Sequence, residues 1–210
     1  MRSSTGLNTI AARRAEECSP GRKPWVAETK SSPEGTKETS ASGTRKLIMR
    51  KESDHPLRQH LIYLLTDGGA HAKFEDVIAA IPAKLRGQTP AAMPHSPWML
   101  LEHMRIAQWD ILEFSRNPKH KSPEWPESFW PATEAPPNAA AWNESVKNIR
   151  KDLKSLENLI ANPKTDLFAK IPWGDGQTIL REAMLVADHN AYHLGQLVDV
   201  LRLLGAWSKA

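Results

Sequence analysis

His189 and His193 stand four residues apart in Asp188-His189-Asn190-Ala191-Tyr192-His193-Leu194-Gly195-Gln196-Leu197. In an α-helix that spacing puts both side chains on one face, one turn apart. The same face carries Leu185 and Val186 before the pair and Leu197, Val200 and Leu204 after it. Two imidazoles in an apolar stripe are costly to bury unless their nitrogens find partners. A divalent metal ion is the simplest shared partner, because neutral imidazole is the commonest protein ligand for metals. Asn190, not Glu, follows His189, so the turn lacks the general base of the His-Glu-x-x-His arrangement.

Two histidines do not close a site, and His103 is the best third ligand. A stripe through Leu100, His103, Ala107, Asp110 and Phe114 places it at a core position, with Met99 and Ile106 beside it. Three imidazoles from two helices can hold a Zn²⁺-like ion and leave one coordination position for water or substrate. That open position separates catalytic sites from closed structural ones. Asp110 lies two turns along from His103, and Glu182 two turns before His189. Either carboxylate could accept a proton or orient an imidazole; both residue types are also common in surface ion pairs. The other histidines read as less useful: His55 and His60 open another helix, while His71, His95 and His120 fall among turn residues and are expected at the surface.

On the residues alone three readings stay open. The first is a metal-dependent enzyme of transferase or hydrolase type. The second is a bundle that binds a metal or small molecule without turnover. The third is a helical core whose histidines are simply hydrogen-bonded. The absence of cysteine from the helical part of the chain and of an obvious fourth protein ligand argues against a closed structural site.

The His-x-x-x-His-x-Gly-Gln-Leu segment and the upstream histidine in a Trp- and Leu-rich helix resemble the DinB-like (DNA-damage-inducible) superfamily over roughly residues 55–206. The resemblance implies an all-α, metal-binding four-helix bundle with His103, His189 and His193 as ligands of a divalent ion, Zn²⁺ or Ni²⁺. It further implies thiol-dependent S-transferase or isomerase chemistry in some members, hence a low-molecular-weight thiol as co-substrate, and a homodimer. The family name describes an induction pattern and implies no DNA binding.

Four long helices and a short one must position these residues. The first begins near His55-Pro56, runs through Leu57, Leu61, Leu64 and Leu65, and stops at Asp67-Gly68-Gly69, a glycine stop signal. A short helix follows from Phe74 to about Ala80. Ser96 as N-cap and Pro97 at the first position start the next helix, which runs to about Ser115, before Asn117-Pro118. A proline- and tryptophan-rich connection from Pro118 to Pro137 carries Trp125, Phe129 and Trp130. A loop of that length packs as a cover or borders a functional mouth, and packing is the simpler role for its aromatics. Asn138 caps a third long helix to about Ala161, with Trp142, Val146, Ile149, Leu153, Leu156 and Ile160 inward. Lys147, Arg150, Lys151, Asp152, Lys154 and Glu157 form the expected solvated face. Residues 167–177 read as a tight turn or a short hairpin-like connection, and the last helix spans roughly Thr178 to Leu204 with Gly205 as stop.

Composition narrows the function classes. The pI of about 9.2 suggests nucleic acid, but the charge is unevenly placed: residues 1–52 carry a net +5 and residues 53–210 a net −1. A nucleic-acid reader should show a basic folded face, so no nucleic-acid partner is expected. No run is long and apolar enough for a membrane span, and no secretory signal pattern is present; no membrane partner is expected. The lone cysteine, Cys18, excludes an intrachain disulfide and points to a reducing, cytoplasmic setting. Residues 1–52, polar and aperiodic, are expected to be a disordered basic extension before a helical domain at 53–210. Residues 1–48 read as an upstream extension set by the choice of start codon at or before Met49.

Overall fold

A computed structural model describes residues 54–207; the expectations for residues 1–52 lie outside the described residues. Within them the fold is all-α, with five helices and no strand beyond one isolated bridge between Lys170 and Thr178. The helices are α1 (His55–Thr66), α2 (Phe74–Ala79), α3 (Pro97–Arg116), α4 (Ala139–Ala161) and α5 (Ile179–Leu203). Short 3₁₀ turns occupy Ala83–Leu85 and Glu127–Phe129.

The starts follow from side-chain capping. Ser96 Oγ accepts from Met99 N, Asn138 Oδ1 from Ala141 N, and Thr178 Oγ1 from Arg181 N. Each satisfies a helix N–H that has no carbonyl in its own helix. α1 ends where Gly68 and Gly69 take φ of 70° and 63°, the left-handed region that a side chain disfavours. The 167–177 connection closes as a tight turn, with Ile171 N donating to the Gln177 carbonyl at 2.7 Å.

α1 packs against α4 and α5, α3 packs against the same two helices, and α2 lies on α5. Two apolar clusters result. One gathers Val77, Leu101, Met104, Trp142, Ile149, Leu194, Leu197 and Leu201; the other gathers Leu61, Ile111, Leu112, Leu156, Ile160, Leu167 and Val186. α5 contributes Val186 to one cluster and Leu194 to the other, and its histidine pair occupies the turns between.

Arg58 holds α1 to the far end of α4 in a way that periodicity does not reveal. Its guanidinium, 7% exposed, donates to the carbonyls of Ile160, Asn162 and Thr165 and to the Asp54 carboxylate at 2.8 Å. It thereby satisfies carbonyls at a helix C-terminus, where positive charge is favoured. Replacing Arg58 with alanine removes the donors of those carbonyls and the cation beside the partly buried Asp54 carboxylate. Unfolding free energy should fall by about 2–4 kcal/mol, read as a lower denaturant midpoint at unchanged slope.

The expected solvated face of α4 needs one correction. Asp152 is 7% exposed, and burial, opposed by Lys151, Arg116 and Arg105, raises its carboxyl above the ordinary value. A helical wheel drawn without its neighbours assigns Asp152 to solvent; the packing of α3 against α4 covers it.

Candidate metal centre

α3 and α5 bring His103, His189 and His193 together. One ring nitrogen of each lies within 4.8 Å of the others, close enough for all three to hold one metal ion. His103 and His193 are wholly buried. The Nε2 atoms of His103 and His189 are 3.1 Å apart, near the roughly 3.3 Å that tetrahedral ligands about 2.0–2.1 Å from zinc would show.

Outward hydrogen bonds define which nitrogen two of these rings present. His103 Nδ1 is 2.9 Å from the Phe129 carbonyl, which can only accept, so Nδ1 carries the proton and Nε2 keeps its lone pair. His193 Nδ1 is 2.7 Å from Gln196 Oε1 and donates in the same way. That leaves His193 Nε2 buried with no hydrogen-bond partner. An unsatisfied buried acceptor of this kind is costly. It also has the chemistry of a metal ligand: a neutral imidazole whose other nitrogen is anchored.

All three imidazoles are held neutral. Burial, then the neighbouring His189, lowers His103 to about 3. Burial lowers His189 to about 4, and burial with the charges of His189 and His103 lowers His193 to about 2. In the unfolded chain imidazole takes up its proton near pH 6.5. Below that pH the unfolded state binds more protons than the native one, so their stability is fully present above pH 6.5 and lost as pH falls. Between about pH 6 and 4 the metal-free protein should lose roughly 1.4 kcal/mol per pH unit for each imidazole. Chemical denaturation across that range in the presence of a chelator measures the slope, and a flat profile would contradict the burial of neutral rings.

The connection between α3 and α4 does more than cover the fold. Trp130 stacks on His103 with centroids 4.0 Å apart and ring planes at 5°. His95 stacks on Trp130, also at 4.0 Å. His95 is 7% exposed, which corrects its expected place at the surface. His120 needs the same correction: its side chain is 7% exposed and its Nε2 lies 2.7 Å from Asp110 Oδ1. His71 is at the surface as expected.

Neither sequence-predicted carboxylate joins the histidines. Asp110 is engaged by His120, and seven residues of helix set it about 10 Å along α3 from His103. Glu182 is fully buried and accepts from Arg181 Nη1 at 2.7 Å, a similar rise before His189. The orienting groups are instead the Phe129 carbonyl and Gln196. Gln196, at i+3 from His193, was open to discovery from helical spacing. Phe129 and Trp130, more than twenty residues beyond His103, left no such local signal.

Among the described residues, fold and cluster together define an all-helical domain with three neutral imidazoles placed close enough to hold a single metal ion. The chain matches no protein-family model, no curated protein and no solved structure.

Proposed function

We propose that this protein is a metal-binding four-helix bundle of the DinB-like type. It holds a divalent ion, Zn²⁺ or Ni²⁺, through His103, His189 and His193 and leaves a coordination position open for a small-molecule substrate. The carrying observation is His193 Nε2, buried beside two other imidazoles with no protein partner. It weighs against a core of merely satisfied histidines. When bound, such an ion lowers the pKa of a water or thiol in the open position, which suits a thiol-dependent S-transferase or a hydrolase.

The chain's own residues have definable parts in that chemistry. Phe129 and Gln196 keep the protons of His103 and His193 on the outward nitrogens. Trp130 covers one face of His103 and keeps water from it. Among the described residues no helix is long and apolar enough to cross a membrane.

A second reading, metal or ligand binding without turnover, is favoured by one observation: Asp110 and Glu182 are both engaged away from the histidines. Assay of the zinc- and nickel-loaded protein with low-molecular-weight thiols and electrophiles, and with hydrolysable esters, separates the two. An enzyme should give metal-dependent turnover that His103→Ala abolishes. Metal binding with no turnover across the panel selects the second reading.

A further inference from the structure

α3 brings His103 to the cluster and α5 brings His189 and His193, so the convergence of the three rings depends on how deep one helix lies against the other. Around the histidines the two helices share an apolar cluster that includes Leu101, Met104, Leu194, Leu197 and Leu201. Apolar contact is non-directional. It holds helices together but tolerates a small slip along the axis better than a metal site does, whose ligands must stay within about 0.5 Å of their working positions. A slip of one turn, roughly 5.4 Å, would part His103 from the other two rings.

A polar link crosses this interface close to the site. Gln108, five residues beyond His103 on α3, is 1% exposed. Its Nε2 donates to the Ile149 carbonyl of α4 at 2.8 Å. Its Oε1 accepts from Asn190 Nδ2 of α5 at 2.9 Å. Asn190 directly follows His189 and precedes His193 by three residues. The Ile149 carbonyl stands in the middle of α4 and has a second lone pair for this donor. Two bonds on one buried amide therefore join three helices. Hydrogen bonds, unlike apolar contacts, need a defined distance and angle. In a slipped register both amides would be buried without these partners, which is costly.

We propose that Gln108 and Asn190 are positioning residues that pin the depth of α5 against α3 and α4, and so select the register in which the three imidazoles converge. They act through the placement of the helices and touch no ion themselves. This inference rests on the metal-site reading above.

Stability and zinc affinity, measured separately on the untagged full chain, test it: Tm in chelator, and affinity by competition with a chromophoric chelator. Gln108→Met or Asn190→Leu alone strands the other amide and should lower Tm. The double variant removes both polar partners, and exchanging both ends of a buried hydrogen bond for apolar groups is nearly neutral, so Tm should return towards wild type. Zinc affinity should not return with it. It should stay weaker than wild type by about 10-fold or more, the scale on which groups outside the ligand set act on a metal site. A merely structural role makes affinity recover with Tm, and that result overturns the proposal. Asn190→Ala carries the same test if the double variant does not fold, because alanine suits the helix. Its zinc affinity should fall by a similar factor, and wild-type affinity there overturns the pin while leaving the metal-site reading intact. A wild-type protein that binds no zinc defeats the metal-site reading and the pin with it.

Discussion

His193→Ala should reduce zinc or nickel affinity by more than the 10–100-fold typical of losing an outer-shell partner, because it removes a ligand itself. The imidazole is wholly buried, its Nδ1 is anchored on Gln196, and its Nε2 has no partner within the protein. Alanine is the best helix former, so α5 should persist and the helical signal should be retained. His189→Ala should act in the same direction, since its Nε2 lies 3.1 Å from that of His103. A useful contrast is His120→Ala. His120 is also a buried histidine, but its partner is Asp110 and it is not one of the clustered three. That variant should lose stability by removing the hydrogen bond between His120 and the buried Asp110 carboxylate while binding metal as wild type does. Equal metal binding in wild type, His189→Ala and His193→Ala would refute the assignment of ligands.

Metal should also stabilise the native chain strongly. The unfolded chain does not hold three imidazoles at one point, so binding free energy adds to folding free energy. At a free metal concentration of a thousand times Kd the gain is about 4 kcal/mol. For a domain of this size that corresponds to a rise in Tm of roughly 8–16 °C. Differential scanning calorimetry with graded zinc, against protein held in chelator, measures it. The rise should vanish in His103→Ala, whose ring sits between the Phe129 carbonyl and the other two histidines. A Tm independent of zinc in the wild type would mean that the cluster has no appreciable affinity for the ion.

Features carried by local spacing were legible in the sequence. Ser96, Asn138 and Thr178 cap the three long helices that follow them, because a cap needs only the next turn of backbone. The i, i+4 spacing of His189 and His193, with the apolar stripe around His103, was enough to nominate a cluster whose nitrogens lie within 4.8 Å. What was not legible depends on contacts distant in sequence. Arg58 reaches carbonyls more than a hundred residues away, and no periodicity encodes that. His95 and His120 read as turn residues, yet Trp130 and Asp110 bury them. Asp110 and Glu182 share buried faces with the histidines, but their seven-residue offsets keep them about 10 Å away along the helices, and each is engaged by a nearer group, His120 and Arg181. Gly195 shows the reverse case, since a Cβ there would meet nothing within 4 Å, so sterics do not explain a glycine at that position.

The most direct test of the central claim is the metal content of the protein purified without a polyhistidine tag, by inductively coupled plasma mass spectrometry after equilibration with zinc and gel filtration. The three-histidine site predicts one equivalent per chain, retained through the column and lost in His193→Ala. Wild-type protein that emerges with no stoichiometric metal, after exposure to zinc and to nickel, would contradict it.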